Sequence, residues 1–310
     1  MQILSNNFLT IKNTYIIPLI GHNPSGRYDM TYYKVKNIIK NHTKRIQNTG
    51  KNHYLIELSK DYFYKALFNE IVQFYLKMTL QYNDLINIEK MVTKSWLLVT
   101  DYYKFFYSIC CLFRMMHRGY IFIEPSLSKE ISHIFTALTG TPIQFNSGTY
   151  FFIVTKTVGN DITIDLNVAA GSVHESSWNK FYLELIQMEK QSDSDEKVVL
   201  AKIKKVFSTY NSIFPSQLRN DVNYKGEYIY KEIDKDFFYN IANNDIDNIG
   251  RIILKSEIID NLNSKNKFLN LIGMYFYNLT QELFNEIVNR SGKIYYHHKC
   301  LKNKMILLSS

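Results

Sequence analysis

The stretch SWLLVTDYYKFFYSICCLFRMMHRG, residues 95–119, does most to limit what this chain can fold into. Trp96, Val99, Tyr103, Phe106, Cys110, Phe113 and His117 recur along it at steps of three and four, the spacing of one helical face. The other faces are largely apolar too, and a helix that is apolar nearly all round is stable only when surrounded. A lipid bilayer is not what surrounds it. Asp101, Lys104 and Arg114 leave only residues 105–113 uncharged, whereas a span needs about 18–20 apolar residues. The expectation is a central bundle helix over residues 87–118, closed by a cationic last turn and by Gly119 as C-terminal cap.

Further helices are expected at residues 30–46, 62–80, 124–138, 175–191, 198–210, 216–230 and 265–288, with two short ones inside 235–262. Phe63, Leu67, Ile71, Phe74 and Met78 give the second its apolar face, and Leu269, Ile272, Phe276 and Leu279 give the last its own. The period changes at TYFFIVTK and DITIDLNV, residues 149–156 and 161–168, which are β-branched and aromatic. The turn Val158-Gly159-Asn160-Asp161 separates them, the signal of a β-hairpin. Surrounded by helical patterns, the pair reads as an insertion packed on a bundle. Residues 14–20 read as a short extended segment, 21–27 as a surface loop, and 292–308 as an apolar, basic tail with one strand. The fold expected is mainly α. A helical bundle over residues 91–235 carries a small β-hairpin insertion near 149–168, with helical flanking regions at 1–90 and 236–310.

Charge narrows the partners. A net charge of +9 favours polyanions, because phosphate contacts release condensed counterions. The excess lies in small clusters at residues 36–45, 202–205 and 299–304, a distribution that also suits a plain solvated surface. The 24 Tyr and 20 Phe are as compatible with the codon bias of an AT-rich genome as with a binding role. Cys110, Cys111 and Cys300 build neither a disulfide framework nor a zinc site. Loop 21–27 lacks the spacing of a P-loop or dinucleotide fingerprint. No cofactor and no metal are expected. The first residues lack the basic and apolar regions of a signal peptide, so the expected location is the cytoplasm, off the membrane.

The chemistry-bearing stretch is SQLRNDVNYKGEY, residues 216–228, behind the helix start Pro215-Ser216. Asn220 and Tyr224 lie four apart, with Arg219 on the edge of their face. An arginine, an amide and a hydroxyl on one surface suit a phosphate. Together with the aromatic run, "LRNDVNY" resembles the HEPN superfamily of helical bundles over roughly residues 91–231. Many of its members are metal-independent ribonucleases of toxin–antitoxin and phage-defence systems. Their motif is an arginine, a polar residue, and a histidine after four to six intervening residues. Arg219 and Asn220 match its first two positions, and Tyr224 stands where the histidine is expected.

The resemblance implies Arg219, Asn220 and Tyr224 as catalytic residues, with Lys225, His117 and Arg118 contacting RNA. It also implies a homodimer, since HEPN sites typically form across a dimer interface, and an antitoxin or defence-system partner. Metal-independent cleavage needs a proton-transfer group, for which a histidine near pKa 6.5 suits and a phenol near 10 does not. His117, His174 and His297 are the histidines that could stand in for Tyr224. Three functions therefore remain open: a metal-independent endoribonuclease, a module that binds RNA or a partner protein without cutting, and a purely structural helical interaction protein.

Overall fold

Changes of periodicity along the chain mark where helices give way to strands. The computed structural model describes residues 6–20, 33–88, 94–225, 245–255 and 265–290. They fall into two units, each assembled from segments distant in sequence. One comprises Met1–Lys12, Phe74–Cys111 and His174–Phe284, and the other Asn13–Gln73, Leu112–Val173 and Asn285–Ser310. The protein is mainly helical with a small antiparallel sheet.

The second unit holds the sheet. Its strands are β1 (Thr43–Gly50), β2 (His53–Ser59), β3 (Arg118–Ile123), β4 (Gly148–Val158) and β5 (Asp161–Val168). They pair antiparallel in the order β1-β2-β5-β4-β3. Strict alternation in HYLIELS and DITIDLNV sends one set of side chains inward. Tyr54, Ile56 and Leu58 therefore lie opposite Leu166, Ile164 and Ile162, all buried. Helices α3 (Val35–His42) and α6 (Pro125–Thr139) and the first half of α4 (Lys60–Ile88) belong to the same unit. Phe63 of α4 meets Phe152 edge to face at 5.8 Å, and Phe145 links Tyr54, Phe135 and Tyr150.

The hairpin at residues 149–168 is found, turning at Gly159 with φ 55°, but it is not a lone insertion. It is the middle of the five-stranded sheet, because β5 also pairs with β2 and β4 with β3. The helix expected at 30–46 ends at His42 and gives way to β1. The extended segment expected at 14–20 is instead helical: α1 (Asn6–Ile11) passes through a π turn at Lys12–Ile16 into α2 (Ile17–Ile20). The loop at 21–27 and the tail at 292–308 lie outside the described residues.

The helical unit contains the second half of α4, most of α5 (Lys94–Met115), α7 (Val173–Gln191), α8 (Ser194–Tyr210), α9 (Phe214–Tyr224), α10 (Ile246–Lys255) and most of α11 (Lys265–Arg290). Its core is aromatic. Phe105 meets Trp178 at 4.8 Å and Phe181 at 5.7 Å, and Phe181 meets Phe276 at 4.8 Å. Two of the charges that argued against a membrane span answer each other inside this core. Lys104 Nζ lies 2.5 Å from Asp101 Oδ1, both fully buried, and Asn270 Nδ2 donates to Asp101 Oδ2 at 3.0 Å. Among the described residues no helix is long and apolar enough to cross a membrane.

Helix α5 ends at Met115, three residues short of the expected end at 118. His117 takes the left-handed conformation, φ 56°, and Gly119 already belongs to β3 with φ 148°. The glycine is needed for another reason: a Cβ there would stand 1.3 Å from Arg114 Nη1. Gly119→Ala is expected to lower unfolding stability by about 2 kcal/mol or more, read as a fall in the urea midpoint. An unchanged midpoint would show that Arg114 can move aside.

Candidate nucleic-acid interface

Helix α9 buries Phe214, Leu218 and Val222, one face at steps of four, together with Pro215 and Ser216 of its first turn. Arg219 follows Leu218 and is therefore half-buried at the edge of that face. Its guanidinium lies over the Tyr102 ring at 5.6 Å, and Nη1 donates to Tyr103 Oη at 3.4 Å. Its Nε is buried without a hydrogen-bond partner. Among the described residues no carboxylate pairs with it. The nearby Asp221 instead accepts Lys225 Nζ at 2.6 Å.

Beneath the arginine sits a polar set inside aromatic walls. Tyr102 is fully buried on α5, and its Oη accepts Trp178 Nε1–H at 3.2 Å. The Ser216 hydroxyl also bonds it, in the sense that favours phenolate. His174 Nδ1, in the first turn of α7, lies 2.8 Å from the same oxygen. A phenol has two lone pairs and one hydrogen, and an indole N–H can only donate. Trp178 fills one lone pair of the phenol, and the phenol and the His174 imidazole share one hydrogen bond, so each engages the other.

Burial favours the uncharged form of both groups. Burial raises the Tyr102 phenol far above its ordinary value, outweighing the Arg219 charge and the two hydrogen bonds that oppose it. Burial first, and the Arg219 charge second, lower the His174 imidazole. At neutral pH the phenol is protonated, the imidazole is neutral, and Arg219 carries the positive charge.

The other residues named from the sequence stand differently. Asn220 is half-buried beside Arg219. Tyr224 is 79% exposed, and five helical steps turn it about 140° away from Arg219. His117 and Arg118 belong to the sheet-bearing unit and are engaged there. His117 is buried against the rings of Tyr15 and Tyr64, at 5.4 and 4.9 Å. Arg118 donates to Tyr15 Oη at 3.1 Å and to Met116 O at 3.3 Å. His297 lies outside the described residues. Arg219 is thus brought together with Tyr102, Tyr103 and His174. Of these, only His174 was picked out in the sequence, as one of three alternatives. For Tyr102 and Tyr103 the one available signal was a phenol pair on the aromatic helix.

Among the described residues no cluster of His, Cys, Asp and Glu could hold a metal ion. No family model, curated protein or solved structure matches the chain.

His117 has a consequence for stability. Burial pushes its pKa down from 6.5 to about 4, more than a hydrogen bond to the Tyr15 backbone raises it. Between those values the unfolded chain binds a proton that the folded chain refuses, so stability rises with pH across the window and is lost as pH falls from about 6.5 to about 4. The full loss is about 3 kcal/mol. His117→Asn, which tolerates the left-handed backbone, is expected to flatten the pH dependence of urea unfolding over that window. An unchanged slope would mean that His117 protonates in the folded protein as readily as in the unfolded one.

Proposed function

We propose that the chain binds RNA without cutting it, and that Arg219 takes a phosphate as the centre of a HEPN-like module. The observation that carries this is an arginine without a counter-ion: a half-buried guanidinium that meets only the Tyr102 ring and the Tyr103 hydroxyl, with a partnerless Nε and no carboxylate among the described residues. A cation held in that state is satisfied best by an anion that brings its own oxygens. The neutral His174 imidazole adds hydrogen-bonding capacity without adding charge. The net charge of +9 draws a polyanion toward the protein.

Cleavage is the weaker reading because no group in the cluster is set to move a proton. His174 has its Nδ1 engaged by Tyr102. The neighbouring phenol is held protonated by burial, and a base must have a free lone pair near the working pH. Within this proposal the site of action is the cytoplasm, and a second copy or a defence-system protein is the natural partner of a HEPN-like module.

The test is fluorescence anisotropy with a labelled 12-nucleotide RNA in EDTA, at 50 and 200 mM salt, with the RNA run on a gel afterwards. The wild type is expected to bind, to bind more weakly at high salt, and to leave the RNA whole. Arg219→Ala is expected to weaken binding at least about tenfold, and Tyr224→Phe to change it little. Equal affinity in Arg219→Ala would sink the site. RNA cut by the wild type and spared by Tyr224→Phe would put the nuclease reading first.

A further inference from the structure

The rings around Arg219 do not end at Tyr103. Tyr103 stacks on Tyr107, one turn further along α5, with centroids 5.8 Å apart and planes 27° apart. Tyr107 in turn faces Phe74 of α4 at 6.4 Å and 34°. Lys77, one turn beyond Phe74, places its ammonium 5.5 Å from the Phe74 centroid and 5.4 Å from that of Tyr107. All of these residues belong to the helical unit.

Their exposure separates them from the core. On α5, Tyr102, Phe105, Phe106 and Ile109 are buried, whereas Tyr103, Tyr107 and Cys110 are half-exposed at steps of four and three. Phe74 is half-exposed as well, and Lys77 is exposed. A solvated helix face ordinarily carries charged side chains, and this one carries rings. A cation stands at each end of the row, Arg219 beside Tyr103 and Lys77 beside Phe74. Neither cation has a carboxylate partner among the described residues.

We infer that the row Arg219–Tyr103–Tyr107–Phe74–Lys77 is a track for single-stranded RNA, with bases against the rings and phosphates at the two cations. This rests on the RNA-binding role proposed for Arg219 and extends it to the form of RNA bound. Unpaired bases present flat apolar faces that stack on aromatic side chains, and the backbone between them is anionic. The row offers the matching chemistry, three rings with a cation at each end. The Lys77 ammonium rests on the ring faces through a weak cation–π contact, which a phosphate and a base would each replace. A duplex keeps its bases stacked inside and can use only the cations.

The test compares labelled U12 with a 12-base-pair RNA duplex on the wild type, Tyr107→Leu, Lys77→Gln and Arg219→Ala, with circular dichroism confirming that each variant is folded. U12 is expected to bind roughly tenfold more tightly than the duplex, and Tyr107→Leu to lose roughly tenfold on U12 with little change on the duplex. Lys77→Gln is expected to lower the slope of log affinity against log salt by about 0.7. If Tyr107→Leu binds U12 like the wild type while Arg219→Ala is weakened, the track is wrong and the Arg219 site stands. If the wild type binds neither RNA, the Arg219 role falls and the track falls with it. A dimer lost in Tyr107→Leu with U12 affinity unchanged would assign the row to contact with a second copy and overturn the inference.

Discussion

One guanidinium holds the sheet-bearing unit together. Arg114, in the last turn of α5, meets the Glu70 carboxylate of α4 at 2.5 Å and donates to the carbonyls of Arg118 and Tyr120 at 3.2 and 2.6 Å. It also covers the Phe152 ring at 4.9 Å. The other oxygen of Glu70 accepts the Val35 N–H at 2.8 Å, at the start of α3. Three helices and the strand β3 are therefore tied to one buried ion pair. Such a pair is costly to bury and more costly to break, since either partner alone would be an uncompensated charge. Arginine suits the place because its planar fork supplies several donors in fixed directions. The sharp exit from helix to strand follows from it: β3 must pass close enough for two carbonyls to reach the guanidinium. That leaves no room for a side chain at Gly119.

The helical unit solves the same problem twice, with different outcomes. Lys104 and Asp101 are fully buried, and Asn270 takes the remaining carboxylate oxygen, so their polar groups answer one another within the core. Arg219 is half-buried, meets phenols and a neutral imidazole, and keeps a buried Nε with no acceptor. Buried polar groups in folded proteins are nearly always paired, so an unpaired one calls for an explanation. The Lys104 pair is explained by the fold alone. For Arg219, the proposed phosphate would supply the missing acceptor.

How far the sequence carried depends on how local each signal was. The helices α6, α7, α8 and α11 and the β4–β5 hairpin were legible because period, start and stop all lie within a few residues. Strand β1 was not, since in TKRIQNTG nearly every side chain is exposed and no alternation marks an edge strand. The run before it, with Val35, Ile38 and Ile39 buried at helical spacing, invited the helix to continue. Strand β3 follows directly on an apolar helix, and only its pairing with β4 defines it. That pairing is a long-range event with no local signature. In the site, Arg219 was legible from residue type and helix position. Tyr224 was named by motif spacing, and the same spacing carries it round the helix into solvent. His174 could not be preferred among the histidines until α7 brought it to Tyr102.

Under the proposed role, the surroundings of Tyr102 favour holding an anion over transforming it. A proton-transfer site places two groups with separated pKa values so that one gives and the other takes near neutrality. Here the same burial drives the phenol up and the imidazole down, each toward its uncharged form. Trp178 donates to the phenol, and the phenol and the imidazole are hydrogen-bonded to each other, so both groups are already engaged. What is left unassigned is the charge of Arg219. In the proposed role Arg219 supplies the charge that draws the anion, and the two uncharged groups beside it supply hydrogen bonds rather than a base near neutrality.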